Sequence, residues 1–171
     1  MDLPERFAEG DLEAFELLFR QFQPEVFRWL LRLVRDTGTA EDLTVEVFWR
    51  IYRARARFDP TRSFGAWARR IASNAAIDHF RRSRRDPRPT LVGAVGAGQS
   101  AAQRDLHLRV ERAFLRLPPK LRAVAALALV EDLPHDEIAD ALGISRTAVK
   151  SRASRALRRL KDALEKEGLG R

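Results

Sequence analysis

Residues 86–103 read DPRPTLVGAVGAGQSAAQ, a long stretch of the chain without helical periodicity. Ten of its 18 residues are Gly, Pro, Ala or Ser, a composition typical of a linker. The stretch divides the 171-residue chain so that neither side can form a large domain. We predict domains at residues 1–85 and 106–171, joined by a flexible linker at 86–105. Each domain can bury only a modest core.

Both parts carry the 3.6-residue apolar period of amphipathic helices, and no strand signal of useful length is present. Asp11 is predicted to cap the first long helix, and Pro24 to break or kink it. Thr39–Asp42 resembles a capping box, and Ser63 is predicted to cap another helix. The predicted fold class is therefore all-α, with two small helical domains.

The C-terminal part contains a helix-turn-helix pattern. Ala139 is small where two helices must cross closely, Gly143 permits the turn, Ser145 can cap the second helix, and Val149 can join the shared core. Residues 146–161 hold seven basic residues and no acid, as expected of a helix in the major groove. The residues predicted to meet base edges, or in the last two cases bases or phosphates, are Arg146, Thr147, Lys150, Ser151, Ser154 and Arg155.

A second basic helix is predicted around IASNAAIDHFRRSRR, residues 71–85. Ile71, Ala72 and Ala75 lie on its apolar face, while Asn74 and Asp78 lie on a polar stripe that continues into a run of arginines. The helix can therefore serve as a core element with a basic tail, or as a helix that also reads a ligand.

Charge is divided unevenly along the chain, whose net charge is +8. Residues 1–49 carry −6, residues 50–85 carry +9, residues 86–105 are neutral and residues 106–171 carry +5. Two basic blocks favour two contacts with a polyanion. Arginine supplies 28 of the 32 basic residues, which suits phosphate contacts but also follows from a GC-rich genome.

Several classes of protein are disfavoured by composition. The absence of cysteine excludes disulfides, thiolate metal sites and thiol nucleophiles. No apolar run approaches the ~20 residues of a bilayer span, and the acidic N-terminus does not resemble a signal peptide. We therefore expect a cytoplasmic protein without membrane insertion.

Three segments together resemble the extracytoplasmic-function (ECF) sigma factors of bacterial RNA polymerase. They read AEDLTVEVFWRIYRA (residues 40–54), SFGAWARRIASNAAIDHFRR (63–82) and LPPKLRAVAALALVEDLPHDEIADALGISRTAVKSRASRALRRL (117–160). The resemblance implies a sigma region 2 domain, which docks on the polymerase and melts the −10 element, and a sigma region 4 domain, which binds the −35 element. The implied partners are core RNA polymerase, through the coiled coil of its largest subunit and the flap of the second-largest, promoter DNA, and an anti-sigma factor.

The resemblance also assigns residues. It implies that Asp42, Glu46 and Arg50 contact the polymerase, whereas Phe48 is expected in the core. The residues implied to face the −10 non-template strand are Phe64, Asn74, Asp78, Arg81 and Arg82. Asp78 can accept from a base or orient Arg81 or Arg82, and we favour the second role. Trp67 can stack on a base, but it lies on the apolar face of its helix, so we expect it in the core.

Two other functions are open to such a sequence. A stand-alone helix-turn-helix regulator with an N-terminal interaction domain would explain residues 106–171, but not the +9 block. A metal phosphohydrolase would need more ligands than His107 and the pair His135–Asp136 supply. No phosphate loop of the GxxxxGK[ST] type is present. We therefore expect no enzyme activity, catalytic residue, cofactor or metal.

Overall fold

The structure is a computed structural model that describes residues 1–85 and 98–168, and for Arg85 the backbone alone. These residues form eight α-helices and no strand, which confirms the predicted all-α fold class. They divide into two compact units, one of Met1–Ala76 with Asp140–Gly143 and one of Ile77–Ala139 with Ile144–Arg171. The two units do not coincide with the domains predicted at residues 1–85 and 106–171. The predicted domain boundaries stay a prediction. Most of the predicted linker lies outside the described residues.

Four helices make up the N-terminal part of the chain. They are α1 (Leu3–Ala8), α2 (Leu12–Val34), α3 (Thr37–Arg53) and α4 (Phe64–Arg85), with a 3₁₀ turn at Arg55–Arg57. Asp11 caps α2, because its carboxylate accepts from the backbone N–H groups of Glu13 and Ala14. Ser63 caps α4 by accepting from the N–H of Ala66 at 3.2 Å. Both predicted caps are confirmed.

Two local predictions in this part need correction. The sequence predicted a break or a kink at Pro24, and the break does not occur, because α2 runs through Pro24 to Val34. Pro24 is exposed, so water can reach the backbone carbonyl that loses its helical partner. Helix α3 begins at Thr37 and not at the expected capping box, because Asp36 accepts from the backbone N–H of Thr39 at 2.8 Å.

Aromatic side chains fill the centre of the first unit. The ring of Phe7 lies 5.5 Å from that of Phe64 and 6.1 Å from that of Phe58, measured between centroids. Behind this cluster Trp29 Nε1 donates a hydrogen bond to Ser73 Oγ at 2.9 Å, where both residues are buried. The cluster fixes the start of α4 and the loop before it.

The C-terminal part is built from α5 (Ala101–Leu115), α6 (Pro119–Ala125), a π-helical turn (Ala126–Val130), α7 (His135–Leu142) and α8 (Arg146–Lys166). Ser100 caps α5, so this helix starts five residues before the domain boundary expected at residue 106. Apolar residues of α5, α6 and α8, and of the turn between α5 and α6, pack together as one cluster, which contains Ala113, Leu117, Leu121, Ala125, Ala156 and Leu160.

The turn between α7 and α8 has the geometry that the sequence predicts. Gly143 adopts a φ of +66°, a backbone conformation that residues other than glycine rarely adopt. Ser145 Oγ accepts from the backbone N–H of Ala148 at 3.1 Å and so caps α8. Ile138 and Val149 are fully buried. This capped, tight turn fixes the direction in which α8 leaves it.

Candidate functional sites

The first candidate site is the exposed face of α8. All six residues that the sequence marks for DNA contact are exposed, and they are Arg146, Thr147, Lys150, Ser151, Ser154 and Arg155. Val149, Ala156 and Leu160 form the buried face of the same helix. Arg146 Nε lies 3.6 Å from a carboxylate oxygen of Asp136, but both side chains are largely exposed, so the pair holds Arg146 only weakly. This face is therefore a cationic surface, one helix wide, that is open to a ligand.

The second candidate site follows the polar stripe of α4. Asn74, Arg81 and Arg82 are exposed and Asp78 is partly exposed. A guanidinium nitrogen of Arg81 lies 3.3 Å from Asp78 Oδ1, as expected if Asp78 orients an arginine. The pair leaves the amide of Asn74 as an exposed group able to donate and accept hydrogen bonds.

Phe64 does not belong to this exposed set. It is buried in the aromatic cluster, 5.0 Å from the ring of Phe22 and 5.6 Å from that of Phe58. Its ring therefore supports the loop before α4 and does not present a face to a ligand.

A cavity of about 330 Å³ opens where this loop meets the first turns of α4. Phe58 and Trp67 supply its aromatic wall, with ring centroids 4.8 Å apart. Arg57, Arg62 and Arg70 line it with positive charge. An aromatic wall with surrounding cations suits a flat ring carried on an anionic backbone. The loop before α4, which the family resemblance also implies to face the non-template strand over residues 58–64, is thus a concave site, and Arg57 is a lining residue outside that predicted range.

Asp59 adds a fixed anion to this cavity. The side-chain hydroxyl and the backbone N–H of Thr61 both donate to Asp59 Oδ1, at 2.7 and 3.0 Å. These hydrogen bonds, with the charge of Arg62, hold the pKa of Asp59 below its ordinary value. Asp59 is therefore an acceptor at neutral pH, next to the cationic lining.

The third candidate site is the exposed edge of α3. Asp42 is exposed, and Arg50 donates hydrogen bonds to Glu46 one turn away. Phe48 is buried, as predicted. Beside this edge lies a groove of about 420 Å³ between α2 and α3, lined by Leu12, Phe15, Phe19, Val45, Phe48, Trp49 and Tyr52.

Trp49 and Val45 stand out on this surface, with 61% and 58% of their area exposed. The sequence prediction missed both residues. They lie four positions apart and outside the stripe that contains Leu43, Val47 and Ile51, and this offset was the available signal. Exposed aromatic and β-branched side chains beside polar ones are typical of a protein-binding surface.

Neither a metal centre nor a membrane span emerges from residues 1–85 and 98–168. Within those ranges no group of three or more His, Cys, Asp or Glu side chains is placed to hold a metal ion. None of the helices there is long and apolar enough to cross a membrane.

Comparison with known proteins gives the family. Residues 18–86 match the model for sigma-70 region 2, and residues 107–160 match that for sigma-70 region 4. The chain is 35% identical to the RNA polymerase sigma factor CarQ of Myxococcus xanthus, with 94% of each chain covered. It is 30% identical to the sigma-H factor of Pseudomonas aeruginosa, covering 95% of this chain and 92% of that one.

Solved structures of two other proteins match this chain in fold. CnrH in complex with the cytosolic domain of CnrY matches with a TM-score of 0.57 and 26% identity, over 95% of both chains. The RpoE–NepR complex from Bartonella quintana matches in fold, with a TM-score of 0.52, 22% identity, and coverage of 90% and 98%.

These findings define a transcription initiation factor that binds core RNA polymerase and promoter DNA. The chain belongs to the sigma-70 family and, within it, to the ECF sigma factors. It directs RNA polymerase to promoters, and a stand-alone helix-turn-helix regulator is not favoured.

Proposed function

We propose that this sigma factor divides promoter recognition between two surfaces and docks on the polymerase through a third. In this assignment α8 reads the −35 element, the loop cavity and α4 stripe hold the −10 non-template strand, and the edge of α3 binds the largest subunit. The observation that carries the assignment is the aromatic, arginine-lined cavity at the start of α4, which has the chemistry to hold an unstacked base.

The −10 site combines the cavity with Asn74. Arg70 lines the cavity, and Asn74 follows it by one helical turn on the same helix. A base in the cavity could stack on Trp67, while the strand continues along Asn74 and reaches Arg81 and Arg82. We assign Asp78 to orienting Arg81 and Phe64 to supporting the loop. Single-strand binding needs such a combination of stacking and backbone cations.

The −35 site is the exposed face of α8. Arg146, Thr147, Lys150 and Ser151 occupy its first two turns, where a recognition helix meets base edges. Ser154 and Arg155 extend the contact by one turn, to bases or phosphates. The capped turn at Ser145 supports this assignment, because it fixes the start of the helix that would enter the groove.

The α3 edge supplies the polymerase contact through Asp42, Glu46 and Arg50, and we add Trp49 and Val45 as its apolar centre. A protein interface of this kind usually depends on an aromatic anchor surrounded by polar residues. We extend the partners to an anti-sigma factor, since the CnrH and RpoE structures are complexes with CnrY and the anti-sigma factor NepR. The protein acts inside the cell with the polymerase and is not itself an enzyme.

Run-off transcription with core polymerase on genomic DNA fragments tests the proposal. Initiation that depends on this protein is expected, and its start sites would define the −10 and −35 sequences. In the same assay Asn74→Ala is expected to impair opening at −10 without reducing holoenzyme assembly. Glu41→Gln, an exposed change on α3, is a control that should leave opening intact. Normal opening and unchanged −10 preference in Asn74→Ala would show that α4 does not read the strand.

A further inference from the structure

Helix α4 packs on α2 through three contacts that follow one another along both helices. The α2 members are spaced by three and four residues, and the α4 members by four, so each set lies on one face of its helix. We refer to the three pairs as the α2–α4 contacts. In order they are Phe22 with Gly65, Glu25 with Arg69, and Trp29 with Ser73.

The first pair leaves no room for a side chain on α4. A β-carbon added to Gly65 would lie 2.9 Å from Phe22 Cε1, inside the ~3.5–4.0 Å at which carbon atoms pack. The ring of Phe22 is itself in contact with that of Phe64, with centroids 5.0 Å apart. Because moving the ring would disturb this aromatic contact, we expect a side chain at residue 65 to push α4 away from α2.

The second pair is an ion pair between the two helices. Arg69 Nη2 donates a hydrogen bond to Glu25 Oε1 at 2.6 Å. The guanidinium carbon of Arg69 also lies 5.0 Å from the centroid of the Trp29 ring, so an anion and an aromatic face of α2 hold the same side chain. Two turns after Gly65, the buried hydrogen bond from Trp29 to Ser73 completes the α2–α4 contacts. Together they fix the rotation of α4 about its own axis.

Each α4 member of these contacts directly precedes a residue of the proposed −10 site or of its cavity. The neighbours are Gly65 and Ala66, Arg69 and Arg70, and Ser73 and Asn74. Successive residues of an α-helix are roughly 100° apart around its axis, so the face packed on α2 and the −10 face must turn together. A change in the α2–α4 contacts therefore moves the −10 residues relative to the loop that forms the rest of the cavity.

We propose that Glu25, Gly65 and Arg69 are positioning residues of the −10 site. They set the distance and rotation of α4 on α2, and this holds the −10 face of α4 against the loop cavity. The inference rests on the proposed function, because it takes the cavity and Asn74 as the site that holds the −10 strand. Loss of the α2–α4 contacts should impair promoter opening and leave −35 binding by α8 intact.

Gly65→Ala tests the close contact in the holoenzyme. Alanine is a better helix former than glycine, so a loss in this variant comes from the contact with Phe22 and not from a weaker helix. We expect open-complex formation to fall roughly tenfold on promoters found by run-off transcription. Gly38→Ala is the matched control, because Gly38 lies in the first turn of α3 and an added β-carbon there meets Asp36 Oδ2 at 3.7 Å, an ordinary contact. It should open promoters as the parent does.

Rescue separates positioning from stability. Phe22→Leu lacks the Cε1 atom, so combining it with Gly65→Ala should restore opening towards the parent level. Glu25→Gln keeps an oxygen that accepts from Arg69 and should open promoters nearly as the parent does, whereas Glu25→Ala loses the acceptor and should open them poorly. A role in stability alone would lower the Tm of a variant and leave opening by the folded holoenzyme unchanged.

The indole N–H resonances of the isotope-labelled free chain provide a readout without DNA. Trp67 lines the cavity, whereas Trp49 lies on α3. Gly65→Ala and Glu25→Ala should therefore shift the Trp67 resonance and not that of Trp49, and Gly38→Ala should shift neither. An unshifted Trp67 resonance in both folded α2–α4 variants would overturn the positioning role. A shifted Trp67 resonance with parental opening would uphold that role and show that the cavity does not hold the −10 strand, so the proposed function would fail instead.

Discussion

Single residues stabilise this fold mainly through local capping and through a few buried polar contacts. Asp11 shows the first kind, because it accepts from two backbone N–H groups of α2 and from Arg6 of α1, at 2.7 Å. Ser73 shows the second, because its hydroxyl accepts from Trp29 and donates to the backbone oxygen of Arg69. Each contact has a separate consequence for stability.

The contribution of Asp11 should depend on pH. The hydrogen bond from Arg6, followed by those from the backbone, holds the pKa of Asp11 below 3.8. The folded state thus favours the carboxylate, and this stabilisation is complete above the unfolded pKa and is lost as the pH falls through the lower folded value. Asp11→Asn keeps a capping oxygen but removes the charge. Thermal melts should show a lower Tm than the parent at pH 7, with a difference that shrinks towards ~pH 2.

Glu41→Gln, an exposed change on α3 that also removes one carboxylate, is the matched control. A Tm deficit in Asp11→Asn that is equally large at both pH values would assign the effect to the hydrogen bonds rather than to the charge.

Ser73→Ala should destabilise the protein, because it leaves the indole N–H of Trp29 buried without its acceptor. The expected loss is about 1–3 kcal/mol in the free energy of unfolding, measured by urea denaturation. Trp29→Phe in the Ser73→Ala background removes the orphaned donor, so the two changes together should cost less than their sum. Strict additivity would contradict this account.

At the scale of helices, the sequence predicted those features well that depend only on residues close together along the chain. The caps Asp11, Ser63 and Ser145 were predicted because a side chain one turn away from its N–H partner needs no tertiary information. The break allowed for at Pro24 does not occur, because the cost of a proline inside a helix depends on whether water can reach the freed carbonyl, which only the folded surface decides.

The candidate sites likewise contain some features that local sequence predicts and others that depend on long-range packing. The exposed face of α8 could be predicted from helical period and charge, whereas the sides taken by Trp49 and Phe64 could be predicted only in part, from the offset of Trp49 from the apolar stripe of α3. Both are apolar residues on amphipathic helices. Their sides are set by how α2, α3 and the aromatic cluster pack, and that packing is a long-range property.

The groove beside α3 makes a prediction about that helix. Trp49→Ala should weaken the binding of core polymerase by roughly 30-fold, because an exposed aromatic anchor in an apolar groove contributes most where a partner covers it. Since Trp49 is 61% exposed, its removal should scarcely change the Tm. Competition binding against a labelled sigma factor measures the affinity.

Leu17→Ala is the matched control, because Leu17 is an exposed apolar residue of α2 that does not line the groove. Equal polymerase affinity in the Trp49 and Leu17 variants would place the docking surface elsewhere.

For the whole molecule, charge and function are arranged together. The acidic block of residues 1–49 contains α2 and most of α3, whose edge is proposed to meet a protein, while the two basic blocks contain the stripe of α4 and the face of α8. Because the docking surface lies in the acidic block, it does not attract DNA, and the DNA is drawn to the two basic surfaces. Promoter binding by the holoenzyme should accordingly weaken with salt, in proportion to the phosphates that its arginines and lysines neutralise.

Salt dependence separates the residues that read sequence from those that only bind phosphate. We expect the exposed Lys161, near the end of α8, to contact a phosphate rather than a base, so Lys161→Ala should reduce the slope of log affinity against log salt by about 0.9 and leave the −35 base preference unchanged. Arg146→Ala, at the start of α8, should change that preference at one base position, by about 1–3 kcal/mol. Equilibrium binding of the holoenzyme to a set of −35 variants, at several salt concentrations, measures both quantities. If Arg146→Ala altered only the salt slope, the start of α8 would lie along the phosphate backbone, and the reading surface would have to be sought further along the helix.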